Sequence, residues 1–174
     1  MISEKLILET SFSIHQKIIL IVFSLPFLLF IIAILEVDLN WKGYIIFLLA
    51  LLFFWAFISL AFSKKGMIKN GGKLYKAKFF QGYTIFKRKV DLNDRPVVSI
   101  LKSKKRQKFA FFSAAKPDLS ESFNTFEIFV LNKNHFKRDS IMYFKNENNA
   151  KEAIEFMTKD FPLRHELFNP NYYR

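Results

Sequence analysis

The residues best able to do chemistry in this sequence are its cations, which crowd into one segment. Residues 64–116 hold sixteen Lys or Arg and two acidic residues, a net charge of +14, whereas residues 1–63 and 117–174 each carry a net charge of −1. Clustered Lys and Arg side chains attract polyanions, either anionic lipid headgroups or the phosphates of nucleic acid. The segment therefore predicts an anion-binding surface.

No pattern typical of catalysis or metal binding accompanies these cations. His15, His135 and His165 are far apart, and none has a second ligand at metal-binding spacing, so we expect surface or interface positions for them. Asp91 and Asp94 are isolated acids, suited to capping or to pairing with cations. Without Cys there are no disulfides or thiolate metal sites. The sequence predicts no catalytic residue, no metal and no cofactor, and a protein that is not an enzyme.

Two long uncharged runs of apolar residues precede the basic segment. They cover residues 18–35 and 43–62. At about 1.5 Å per residue each run is about 27–30 Å long, the thickness of a hydrocarbon core, and neither has a polar face. We predict a hairpin of two transmembrane helices within residues 17–63. Acidic residues before the first run and the lack of a small-residue cleavage site argue against a signal peptide.

The charges around these runs predict their orientation. The connecting loop, residues 36–42, is net negative, whereas Lys17 and Lys64 lie at the opposite ends of the runs. The positive-inside rule then places both termini in the cytoplasm, and Trp41 and Tyr44 at the outer membrane interface. We therefore expect a multi-pass protein of the bacterial inner (cytoplasmic) membrane.

The rest of the chain predicts strands followed by one helix. Residues 1–16 form a cytoplasmic segment with a possible strand, and residues 162–174 form an irregular tail. Alternating patterns predict strands at 74–80, 83–90, 97–101, 126–131 and 140–144, tight turns at 70–72 and 81–82, a solvated basic turn at 102–108, an apolar run at 109–112 and a loop at 115–122.

The final helix is predicted from a change of period. An apolar stripe then recurs with helical spacing and predicts a helix packed on the sheet. Asn149 with Glu152 forms a capping-box variant at its start, and Pro162 ends it. The stripe consists of Ala150, Ala153, Ile154, Met157 and Phe161.

Two stretches, GGKLYKAKFFQGYTIFKRKVDLNDRPVVSIL and FEIFVLNKNHFKRDSIMYFKNENNAKEAIEFM, carry a resemblance to a known family. A two-helix hairpin, then short strands, then one amphipathic helix resembles the bacterial PH-like (bPH) membrane proteins. The resemblance implies a cytoplasmic α+β domain at 64–161, a PH-like β barrel or sandwich with a C-terminal capping helix, and an interaction role at the membrane. It brings no catalytic residues. Segment 102–124 is longer and more basic than the family pattern.

These features lead to one main expectation and several alternatives. The main one is a non-enzymatic accessory or scaffold subunit that docks onto a larger membrane protein complex through its hairpin and its PH-like domain. The first alternative is a membrane-anchored module that binds anionic lipid headgroups; the tether makes lipid a nearer polyanion than nucleic acid, which we do not expect as a partner. The charges could also only set topology and solubility. A polar pocket with convergent ionisable groups would favour a membrane-bound enzyme instead.

The predicted lipid or partner contacts are all cations of the basic segment. They are Lys64, Lys65, Lys69, Lys87, Arg88, Lys89, Lys102, Lys104, Lys105 and Arg106.

Overall fold

The structure, a computed structural model, describes residues 3–107 and 121–169. Its elements follow one another in a strand–hairpin–sheet–helix order. Within the described residues they are β1 (Glu4–Thr10), α1 (Ile14–Ile34), α2 (Trp41–Ala61), β2 (Lys64–Asn70), β3 (Lys73–Phe80), β4 (Tyr83–Lys89), β5 (Val97–Gln107), β6 (Glu121–Leu131), β7 (Arg138–Phe144), α3 (Glu147–Asp160) and β8 (Arg164–His165).

The two apolar runs form α1 and α2, which pack as a pair. Phe27 stacks on Phe53 and on Phe57, with ring centroids 5.6 and 5.8 Å apart. A capping box of Ser13 and Gln16 begins α1, so its first turn has partners for its backbone N–H groups. Each helix has 21 residues and is long and apolar enough to cross a membrane.

The chain divides into two compact units. The hairpin unit comprises Ile7–Lys65 and Ala77–Lys87, and the sheet unit comprises Met1–Leu6, Gly66–Lys76 and Arg88–Arg174. A four-stranded sheet in the order β1-β2-β3-β4 contributes residues to both units. The possible N-terminal strand thus appears as β1, and β2 follows α2 almost directly.

A second sheet, in the order β7-β6-β5-β8, belongs to the sheet unit. β5 and β6 are antiparallel and remain in register from Val97 opposite Leu131 to Gln107 opposite Glu121. β6 and β7 are also antiparallel, with an irregularity at Ile128/Phe129, and β8 pairs with β5 in parallel. In the part of the chain that the structure describes, the sheets do not close into a barrel. The barrel form of the expected PH-like domain is therefore not observed.

Segment 102–107 corrects the predicted basic turn. These residues continue β5, because each has a partner on β6 for its backbone groups. The hydroxyls of Ser103 and Thr125 also bond across the pair at 2.7 Å. Strand β6 accordingly begins earlier than predicted, inside the expected loop at 115–122. The rest of that loop and the apolar run at 109–112 lie outside the described residues, and part of the predicted irregular tail forms β8.

Helix α3 buries four of the five residues of the predicted stripe. Ala150, Ala153 and Met157 are fully buried, and the helix packs against β6, β7 and β8. Its start is corrected, because the N-cap is Asn146, whose side chain accepts a hydrogen bond from the Asn148 N–H at 2.9 Å. Phe161 lies just beyond the last helical residue.

An ion pair and a backbone hydrogen bond close the base of the helical hairpin. Lys65 Nζ lies 2.9 Å from Glu9 Oε1, and the two side chains are only 9% and 14% exposed. Beside them the Ser11 N–H donates to the Ser63 carbonyl at 2.9 Å. Removing one partner from a buried ion pair is costly, because the remaining charge keeps its desolvation penalty.

Replacement of Lys65 tests this closure. We expect Lys65→Met to lower the free energy of unfolding by about 3 kcal/mol, because the Glu9 carboxylate loses its ammonium partner. The matched control is Lys64→Met, one residue earlier and exposed, which should change it by no more than about 0.5 kcal/mol. Urea or thermal unfolding of the full chain in mild detergent measures both variants. Equal effects of the two substitutions would contradict the structural role of the pair.

Candidate surface for membrane and partner contact

The ten predicted contact cations lie on three strands, and the structure separates them by exposure. β2 carries Lys64, Lys65 and Lys69, of which only the first is exposed. The cations of β4 and the first two of β5 are exposed: Lys87, Arg88, Lys89, Lys102 and Lys104. Nothing is described for the side chains of Lys105 and Arg106, although their backbone belongs to β5.

Lys69 is buried in the sheet unit and surrounded by two carboxylates and a ring. Its ammonium group lies 3.5 Å from Glu4 Oε2, donates to Asp160 and sits 4.0 Å from the ring centroid of Phe156. With Lys65 held by Glu9, two of the predicted contact residues already have internal partners. Contact of either lysine with a lipid would compete with these ion pairs. Lys65 and Lys69 are therefore not part of the exposed anion-binding surface.

On β4 three cations follow one another at the edge of the first sheet. Successive strand residues point to opposite faces, so Lys87 and Lys89 share one face and Arg88 lies on the other. Edge-strand lysines also hinder pairing with a foreign strand. The same residues can therefore bind anions and protect the edge.

On β5 the exposed cations alternate with a hydroxyl that faces inward. Lys102 and Lys104 lie on one face, and the intervening Ser103 bonds to Thr125 on the other. Lys102 Nζ is 5.6 Å from the ring centroid of Phe126, a distance suited to a cation–π contact. These contacts hold Lys102 against the sheet while it stays exposed to solvent.

Apolar residues on β4 are a feature that the sequence pattern left unexplained. Tyr83, Ile85 and Phe86 are 78%, 51% and 57% exposed. The first two lie on one face of the strand and Phe86 lies on the other. In a strand that is half-buried in a soluble domain, one face is polar. The missing alternation in YTIFK was the available signal that apolar side chains lie on both faces of this strand.

The interface aromatics and the histidines are also located. Trp41 and Tyr44 are exposed in the first turn of α2, and their place at a membrane interface stays a prediction. His15 lies in the first turn of α1, and His165 is exposed on β8. His135, expected at a surface or interface, is buried within the protein.

Burial of His135 follows from its hydrogen bonds. Nε2 lies 3.2 Å from a Glu166 carboxylate oxygen, and Nδ1 accepts the Asn169 N–H at 3.0 Å. The ring also stacks on Phe168. Both ring nitrogens therefore tie the 132–137 turn to the C-terminal segment. Across residues 3–107 and 121–169 there is no group of three or more His, Asp and Glu side chains placed to hold a metal.

Comparison with known proteins adds nothing to this geometry. No family model, no curated protein and no solved structure matches the chain. The resemblance to bPH proteins therefore stays a prediction.

The Lys69–Asp160 pair gives a pH dependence. The hydrogen bond from Lys69 lowers the pKa of Asp160 below its ordinary 3.8, and nearby positive charge adds to this effect. Because the folded-state pKa is the lower one, the pair stabilises fully above the ordinary pKa and loses its effect as pH falls through the folded-state value.

Asp160→Asn tests that dependence. We expect the variant to unfold at a lower temperature than the parent at pH 7, because its side chain carries no charge for Lys69. The difference in unfolding temperature between parent and variant should narrow steadily below about pH 4, as the parent carboxylate is protonated. Asp94→Asn, in an exposed loop, is the control and should follow the parent throughout. A difference that is constant from pH 7 to pH 3 would contradict the ion pair.

Proposed function

We propose that the protein is a non-enzymatic accessory or scaffold subunit of the bacterial inner membrane. Its hairpin would dock onto a larger membrane protein complex, and its sheet unit would be a PH-like cytoplasmic module. The observation that carries the proposal is the bare apolar surface of α1 and α2. Only 6% and 11% of their most apolar windows are buried inside the protein.

This exposure favours a bilayer over the core of a soluble protein. A long apolar helix in a soluble core is covered by its own chain, whereas here Phe23, Leu29 and Leu52 are each more than half exposed. Such a surface in water would favour aggregation. A bilayer or the helices of another membrane protein would cover it.

The amino-acid composition of the two helices supports an accessory role. Residues 18–35 and 43–62 contain no charged residue, and intramembrane ionisable groups usually mark ion or proton paths. Small residues, which let helices pack closely, are also few. The hairpin therefore offers large apolar side chains for docking, without transport chemistry of its own. The element order, with strands followed by a packed C-terminal helix, supports the PH-like assignment of the sheet unit.

Single cysteines test the placement in the membrane, since the chain has none of its own. An impermeant maleimide applied to intact spheroplasts should label Asp38→Cys in the loop between the helices. Lys104→Cys, on β5, should be labelled only after the membrane is opened. Labelling of Lys104→Cys in intact spheroplasts, or labelling of Asp38→Cys only after the membrane is opened, would contradict the orientation.

Docking through the hairpin is tested by purification from native membranes in mild detergent. We expect a heteromeric particle that is larger than the lone chain. Substitution of Phe23, Leu29 and Leu52 by Ala should reduce partner yield about tenfold or more, equivalent to about 1.4 kcal/mol of binding. The control replaces Lys133, Lys137 and Lys151 by Ala and should leave the yield unchanged. Lone monomers in every preparation would contradict the proposal.

A second function, binding of anionic lipid headgroups, is favoured by the exposed cations of β4 and β5. Near a membrane surface each such Lys or Arg contributes about 1 kcal/mol of attraction to anionic lipid. The test variant changes these five to Ser: Lys87, Arg88, Lys89, Lys102 and Lys104. The control removes as many charges from the second half of the chain: Lys133, Lys137, Lys145, Lys151 and Lys159.

The readout is the phosphatidylglycerol content of the lipid retained by the full chain from mixed bilayers. We expect the test variant to lose the enrichment and the control to keep it. An equal loss in both variants would show that net charge alone attracts the lipid.

A further inference from the structure

An apolar groove runs along the hairpin unit between the second half of α2 and the β3–β4 hairpin. It encloses about 640 Å³, and its walls include Trp55, Ser59 and Leu60 from the helix and Phe80, Tyr83 and Ile85 from the strands. All of these residues belong to the same compact unit. The volume is within the range of small-molecule sites and the lining is mostly apolar, so the groove suits a hydrocarbon chain.

The contact of Trp55 with Phe80 sets the depth of the hairpin tip. The rings meet edge to face with centroids 5.6 Å apart. Trp55 precedes the last residue of α2, Ala61, by six positions, which is about 9 Å along the helix axis. If α2 spans the bilayer, as the proposed function holds, Phe80 and the turn after it lie deeper in the bilayer than the point at which the helix leaves it. Interfacial elements penetrate to depths of about 5–10 Å.

The outer face of β4 changes from apolar to cationic along its length. Tyr83, Ile85 and Lys87 share one face, because strand residues two apart point the same way. Two strand residues rise about 6.8 Å, so Lys87 lies one step beyond Ile85 on this face. Lys64, the first residue of β2, follows the last residue of α2 by three positions. Apolar lining followed by ammonium groups matches an acyl chain followed by a phosphate.

We propose that the β3–β4 hairpin is a third membrane-contacting element and that its groove holds a glycerophospholipid. One acyl chain packs between Trp55 and Ile85, and Lys64 and Lys87 face the phosphate. Phe86, on the other face of β4, lies among neighbouring lipids. The proposal rests on the proposed membrane-spanning role of α2, and it explains why both faces of an edge strand are apolar.

Quenching of single indoles by lipids brominated on the acyl chain tests the insertion in full-length protein in phosphatidylcholine/phosphatidylglycerol vesicles. W41F leaves only Trp55 and reports α2. W41F/W55F/Y83W reports the hairpin tip, and W41F/W55F/Y143W, on β7, is the control. We expect strong quenching of the first two proteins and little quenching of the third, whose indole should respond to aqueous acrylamide.

The outcomes separate the two proposals. An unquenched Trp55 would overturn the membrane-spanning hairpin itself. A quenched Trp55 with an unquenched Y83W indole would overturn only the third contact. Equal quenching of the Y83W and Y143W indoles would also overturn it, because insertion would not be specific to the hairpin.

Occupancy of the groove is tested by native mass spectrometry after purification in mild detergent. Wild-type protein should retain one phospholipid, and Ser59→Leu, which adds bulk at the groove wall, should lose it. The control Leu48→Ala, on an exposed part of α2 away from the groove, should retain it. Retention by all three proteins would overturn the assignment, and so would a wild-type dimer that Ser59→Leu separates, since a second copy would then fill the groove.

Discussion

The organisation of the molecule depends on how the helical hairpin is closed at its base. The chain enters α1 from β1 and leaves α2 into β2, and these two strands are neighbours in the first sheet. The buried pair of Lys65 with Glu9 and the bond from Ser11 to the Ser63 carbonyl join the chain on either side of the hairpin. Because the loop between the helices is so short, the start of α1 and the end of α2 lie close together. The neighbouring strands β1 and β2 begin the first sheet at this point.

This closure divides the basic segment into two groups with different roles. Lys65 and Lys69 are buried, and each neutralises carboxylates from the N-terminal strand, Glu9 and Glu4 respectively. The cations of β4 and β5 remain exposed. The acidic residues before the hairpin therefore have structural partners after it, and β1, which precedes the two helices, pairs with β2, which follows them.

The sequence predicted the features that rest on composition and period. The two apolar runs, the turns at 70–72 and 81–82 and the buried stripe of α3 follow from hydrophobicity, glycine and 3.6-residue spacing. It could not predict β2, because KKGMIKN lacks alternation and only tertiary ion pairs accommodate the buried Lys65 and Lys69. The length of β5 was missed for a similar reason: KSKKRQ resembles a solvated turn until β6 supplies a partner for each residue. His135 was misplaced because its partners, Glu166 and Asn169, are more than thirty residues away.

The orientation of α1 and α2 in lipid decides whether these two helices cross a bilayer. Polarised infrared spectroscopy of the full chain in oriented bilayers, after exchange into D₂O, reports the tilt of the helices whose amides stay protected. Helices that span the bilayer should stay protected and lie within about 40° of the bilayer normal. Helices that exchange freely, or that lie parallel to the membrane plane, would contradict a membrane-spanning hairpin.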